Sequence, residues 1–234
     1  AADNKAQENV IYETKSGALV PCSYEELIRQ APVIVAAHVE QESEPFQIAP
    51  VNGGDPGIFH DVTVRVDQVL RGDIALNEHL SVRIEGGRSG NRVLTVQEAP
   101  ELRQGDDVLL FLYQPQAGGA YNTEGDYYYV MGLWQGAFTA ENGIDSAEDV
   151  SVNDSPEDSA GRYVRKDQTA VTLSSLKADL ASLTPEEQKQ AEDPGRIRRE
   201  IVSNLQANLE SGFITQEEYD RALREMDRYA TIVH

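Results

Sequence analysis

Four histidines are the first side chains to weigh for chemistry: His38, His60, His79 and His234. No two are spaced as His-x-His or His-x-x-x-His, so no strand or helix presents a ready pair of imidazoles to a metal. His38 lies inside an apolar segment, and His60 and His79 flank others. Each reads as a hydrogen-bonded strand histidine. Ser89 sits in Gly86-Gly-Arg-Ser-Gly90. That run lacks the Gly-x-Ser-x-Gly spacing of a nucleophile elbow and the Gly-Lys-Ser/Thr ending of a phosphate loop. It reads as a hairpin tip. The residues assign no catalytic group, no cofactor and no metal.

Two other clusters carry weaker signals. Glu141, Asp145, Glu148, Asp149, Asp154, Glu157 and Asp158 form an acidic run without Lys or Arg. They miss the ligand grid of a calcium-binding EF-hand loop, and read as a solvated loop with irregular Ca²⁺ binding left open. Arg71-Gly-Asp73 matches an integrin-type tripeptide but reads as a strand-ending turn. The aromatic group Tyr121, Tyr127, Tyr128, Tyr129 and Trp134 is more informative. Strand alternation sends Tyr127 and Tyr129 to one face and Tyr128 to the other. Tyr127, Tyr129 and Trp134 are therefore the candidate binding face, a stacking surface for a sugar or a peptide. The competing reading packs the same rings under loops and helices.

The elements that must position these groups follow from pattern. Ser23-Tyr-Glu-Glu26 is a capping box opening a short helix to Gln30, which Pro32 ends. Val33–Val39 is an apolar, buried-strand run. Residues 41–58, rich in Glu, Pro, Gly and Asn, read as a long loop. Asp61–Leu70 alternates, with Val62, Val64 and Val66 on one face, and His79–Ile84 alternates again. Further strands are expected at Val93–Val96, Val108–Tyr113, Tyr127–Met131, Gln135–Thr139 and Tyr163–Lys166. Strand signals at this spacing predict a mainly β domain with added α structure.

From Thr172 the period becomes helical. Leu173, Leu176, Leu180 and Leu183 mark one helix, and Thr184-Pro-Glu-Glu187 caps a second. Ile197, Ile201, Leu205 and Leu209 mark a third, ended by Gly212. Thr215-Gln-Glu-Glu218 then caps a last helix to about Tyr229, completing a helical hairpin. The expected organisation is a leader over 1–21, a β domain over 22–170 and a helical appendage over 171–234.

Charge limits the partners. The 234 residues carry a formal net charge of -20, which opposes nucleic acid and anionic membrane surfaces. Mean hydropathy is -0.47, and no apolar run approaches the roughly 18 residues of a membrane span. Cys22 is the one cysteine, so no internal disulfide forms. The polar opening Ala1-Ala-Asp-Asn4 reads as a chain trimmed after a signal peptide or tether, which predicts an extracytoplasmic location.

Ala31-Pro-Val-Ile-Val-Ala-Ala-His-Val39, Val62–Asp73, Leu80-Ser-Val-Arg-Ile84 and Leu102–Leu112 resemble, in order and spacing, the netrin-like and tissue-inhibitor-of-metalloproteinase-like OB-fold domains of bacterial secreted type. The resemblance covers about residues 22–140 and implies an OB-like five-stranded β-barrel with a helix. Those inhibitors use an N-terminal cysteine and several disulfides. This chain has only Cys22, so inhibition does not carry over with the fold. Leu205–Met226 is similar to a short helical hairpin appended to many bacterial proteins, a module read as an oligomerisation or interaction element. The expected function is a non-enzymatic, extracytoplasmic binding or structural module. Its expected partners are a protein or a carbohydrate, with homo-oligomerisation through the C-terminal helices. An uncharacterised hydrolase or enzyme accessory domain, and a protein inhibitor by fold analogy, are the alternatives.

Overall fold

The computed structural model describes residues 10–16, 21–50, 54–115, 121, 123, 125–141, 161–192 and 196–228. The acidic segment 142–160 and His234 lie outside the described residues. The chain is mainly β with several helices.

Strand β1 (Ile11–Lys15) precedes helix α1 (Tyr24–Gln30). Ser23 forms the expected capping box: its Oγ accepts from the Glu26 amide at 3.2 Å, and its own amide donates to the Glu26 carboxylate at 2.7 Å. Strands β2 (Val33–Glu42), β3 (Phe46–Ile48), β4 (Gly57–Arg71) and β5 (His79–Glu85) follow. The segment read as one loop over 41–58 thus carries β3. Its three residues are too short for any period to show, and they become a strand by pairing with Gly57–Phe59 of β4.

Next come β6 (Gly87–Ser89), β7 (Arg92–Val96), β8 (Asp107–Tyr113), β9 (Tyr129–Val130), a 3₁₀ turn at Leu133–Gly136 and β10 (Ala137–Ala140). The expected strand at Gln135–Thr139 begins two residues late because the chain first turns over at Gly136. A side chain there would place its Cβ 2.2 Å from the Met131 carbonyl oxygen. Strands β11 (Arg162–Val164) and β12 (Ala170–Thr172) lead into α2 (Leu173–Ser182), α3 (Pro185–Glu192), α4 (Arg196–Glu210) and α5 (Gln216–Arg228).

Two sheets form. The small one runs β1–β7–β6, with β1 parallel to β7. The large one runs β12–β11–β10–β8–β2–β4–β3, with β5 on β4 and β9 on β8. These ladders do not themselves close into a barrel. One isolated parallel bridge, Val82 with Tyr128, joins β5 to the residue before β9. There the Tyr128 amide donates to the Ser81 carbonyl and the Arg83 amide donates to the Tyr128 carbonyl, both at 2.8 Å. Register shifts along β2 against β4 add the twist that lets these two long strands coil.

Both faces of the central strands are buried. Val33, Val35, Ala37 and Val39 of β2 meet Val62, Val64, Val66, Leu80, Val82, Leu110 and Tyr128 in one core. The alternate residues Ile34 and Ala36 join Leu109, Phe111, Tyr127, Tyr129 and Phe138 in a second core, which Leu27 of α1 and Leu176 of α2 cover. This is why β2 and β8 read as continuous apolar runs while β4 alternates. Each such Val or Leu stabilises the fold by about 1.5–3 kcal/mol.

Candidate binding site

Strand β4 ends at Arg71, and Gly72 turns the chain with φ of +106°. A Cβ on Gly72 would lie 3.0 Å from Val33 Cγ2, so the turn is pressed against the start of β2. Arg71 points back across the sheet end. Its Nη1 donates to the Ile28 carbonyl at 2.6 Å and the Ala31 carbonyl at 3.0 Å. These are C-terminal carbonyls of α1 that no further helical turn satisfies, and a cation suits that end of the helix dipole. Burial lowers the Arg71 pKa from its ordinary value, but a guanidinium stays charged. The Arg-Gly-Asp tripeptide is therefore a turn whose arginine gives its Nη1 to the helix end.

Beside this turn lies a cleft of about 730 Å³. The β unit contributes Val33, Leu70, Arg71, Asp73, Ile74 and Tyr128, and Leu180, Gln188 and Ala191 come from α2 and α3. Helix α3 is held nearby by its own capping box, with Glu187 accepting from the Thr184 amide at 2.9 Å and facing Arg29 of α1 at 3.9 Å. The Glu187 carboxyl is held below its usual range mainly by that backbone bond. The cleft is of the size that ligand sites occupy, with a mixed lining in which Arg71, Asp73, Gln114 and Gln188 stand beside the apolar side chains.

The sequence-derived binding face is distributed differently. Tyr127 and Tyr129 are 2% and 5% exposed and pack edge to face in the second core, with centroids 5.5 Å apart. Burial drives the Tyr129 phenol far above its ordinary pKa. These two rings offer no open stacking surface, because α1 and α2 cover the face that strand alternation gives them. Trp134 is half-buried in a separate hollow with Arg165, whose guanidinium lies 5.8 Å from the indole. Tyr128, on the opposite face, reaches the cleft. Tyr121 packs on Phe59 with the rings tilted and their centroids 5.5 Å apart.

The three described histidines pair with carboxylates. His38 Nδ1 lies 2.7 Å from Asp107, His79 Nε2 3.1 Å from Glu40 and His60 Nε2 3.4 Å from Glu42. Register places Asp107, His38, Arg65 and His79 side by side across four strands, one polar row on the outer face. Among the described residues no hydroxyl or thiol is hydrogen-bonded to a histidine, and no group of three His, Cys, Asp or Glu is placed to hold a metal. Ser89 lies on the short strand β6 rather than at a nucleophile turn.

Two buried arginines were not singled out from the sequence. Arg83 is 9% exposed, bidentate to Asp61 at 2.8 and 2.9 Å and bonded to Thr123. Arg165 is 7% exposed, bidentate to Asp167, and also donates to the carbonyls of Cys22 and Gln135. Strand alternation marks Arg83 only as an outward residue. That a loop folds over it is a tertiary fact. Among the described residues no helix is long and apolar enough to cross a membrane. No protein-family model matches the chain, and neither a curated protein nor a solved structure matches it.

Proposed function

We propose that this protein is a non-enzymatic, extracytoplasmic binding module whose ligand enters the cleft between the end of the β unit and helices α2 and α3. The observation that carries the reading is the cleft itself, about 730 Å³ with walls from both parts of the chain. The proposed framework is an OB-like five-stranded barrel with a C-terminal helical hairpin. Support comes from the circuit β2–β4–β5–β9–β8, in which the Val82–Tyr128 bridge is the parallel link between β5 and β9. The extracytoplasmic placement rests on the resemblance of residues 22–140 to secreted domains. Self-association through α4 and α5 belongs to the same reading, and is supported by the amphipathic pattern of α4.

The test is an amide chemical-shift screen of the full chain against a panel of short peptides and oligosaccharides. Hits are expected to move resonances of Leu70, Ile74 and Leu180, and Leu180→Trp, which fills the cleft, is expected to abolish them. Hits that cluster instead around Trp134, or survive Leu180→Trp, sink the cleft assignment. Cell fractionation checks the compartment: recovery only from the cytosol ends the extracytoplasmic part.

A further inference from the structure

Three arginines of this protein are held by the same local rule, and a fourth follows only half of it. Arg83 gives the edge formed by Nε and Nη2 to Asp61 and its Nη1 to Thr123 Oγ1. Arg92 gives that edge to Glu13 at 2.9 and 3.0 Å and its Nη1 to the Pro56 carbonyl. Arg165 gives it to Asp167 at 2.9 and 2.7 Å and its Nη1 to two carbonyls. Arg71 has its Nη1 on two carbonyls in the same way. Its Nε and Nη2 take no partner among the described residues, and Arg71 lines the cleft.

We propose that the cleft binds a ligand bearing one carboxylate on an apolar body, with the carboxylate gripped by the Nε–Nη2 edge of Arg71. This rests on the cleft reading above and names its ligand class. That edge presents two parallel N–H donors at the spacing of a carboxylate. The two bonds from Nη1 already fix the plane of the guanidinium, so little side-chain freedom is lost on binding. Leu70, Ile74, Tyr128 and Leu180 supply apolar wall for the rest of the ligand. Asp73 is the acid lining the cleft; it is exposed, whereas Arg71 is partly buried. Solvent screens the exposed charge more than the buried one, so attraction to Arg71 outweighs repulsion from Asp73.

The experiment is an NMR titration of the full chain with two matched pairs: octanoate against octanamide, and N-acetyl-Ala-Leu-Leu as free acid against its C-terminal amide. The acids are expected to shift Leu70, Ile74 and Leu180, with at least tenfold weaker binding for the amides. Which acid binds tighter separates a free aliphatic acid from a peptide C-terminus as the source. Arg71→Lys keeps a cation for the α1 carbonyls but lacks the two-donor edge, so it is expected to weaken acid binding about tenfold while α1 resonances stay in place. Asp73→Asn is expected to tighten it. Equal binding of acid and amide, or no shift with either acid, overturns the carboxylate assignment. In that case cleft shifts with uncharged members of the wider panel would still uphold the cleft reading, and their absence would end both.

Discussion

The guanidinium carbon of Arg83 lies 3.7 Å from the centroid of the Tyr127 ring. The same arginine is bidentate to Asp61, and its third nitrogen holds Thr123, whose amide donates to the Tyr127 hydroxyl at 3.0 Å. One buried cation thus ties β4, β5 and the segment entering β9, alongside the bridge at Tyr128. A cation over a ring face in a desolvated place contributes on the order of 1–2 kcal/mol.

Removing the partner of that cation is expected to cost more than removing both. Asp61→Ala leaves Arg83 desolvated and without its carboxylate, and is expected to destabilise the fold by about 2–3 kcal/mol. Arg83→Met with Asp61→Ala is expected to lose less than Asp61→Ala alone. Urea unfolding of Asp61→Ala, Arg83→Met and the double variant decides the order, and a double-variant loss equal to the sum of the two single losses would show that the pair is not coupled.

Asp167 makes stability depend on acid. The Arg165 guanidinium beside it holds its carboxyl well below the usual carboxylate range. A folded pKa below the unfolded value of about 3.9 means a contribution fully present above that value and lost as pH falls further. The stability difference between the native chain and Asp167→Asn is therefore expected to be constant from pH 7 to pH 5 and to shrink between pH 4 and pH 2. A difference that grows on acidification would contradict the sign.

Leu176 and Phe213 separate the helices that belong to the core from those outside it. Leu176 of α2 is fully buried in the second core, and Phe213, between α4 and α5, is 84% exposed. Leu176→Ala is expected to cost about 3 kcal/mol, and Phe213→Ser to change stability by less than about 0.5 kcal/mol. Thermal unfolding of both variants measures this. A small effect at Leu176 would mean that α2 is not part of the cooperative β unit.

Cys22 is expected to be slow toward alkylation. Burial pushes its thiol up to about 11, and the thiolate is the reactive form. Iodoacetamide labelling at pH 8 is expected to run on the order of 100-fold slower than for a free thiol, and to reach the free rate in 6 M urea. Fast labelling in the folded protein would refute the partial burial of this side chain.

Much of the fold was legible because its cues are local. Ser23 with Glu26, Thr184 with Glu187 and Thr215 with Glu218 each close their capping boxes as spacing predicts. The alternation of Val62, Val64 and Val66 does place all three in one core. Strand β3 and the late start of β10 were not legible, since a three-residue strand and a 3₁₀ turn depend on what pairs with them or crowds them. The tyrosines show the limit most clearly. Alternation correctly divides Tyr127 and Tyr129 from Tyr128, but periodicity separates faces without saying which face is covered.

By itself the sequence determined where helices begin, which strand residues share a face, that the net charge opposes nucleic acid, and that no disulfide braces the chain. These follow from bonds and repulsions between near neighbours or from simple counts. Only the tertiary structure decided that Tyr127 and Tyr129 are core, that Arg83 and Arg165 are buried ties, and that Arg71 reaches 43 residues back to the end of α1 beside a cleft. Those outcomes depend on which distant elements cover which face, and hence on desolvation and contact across the fold.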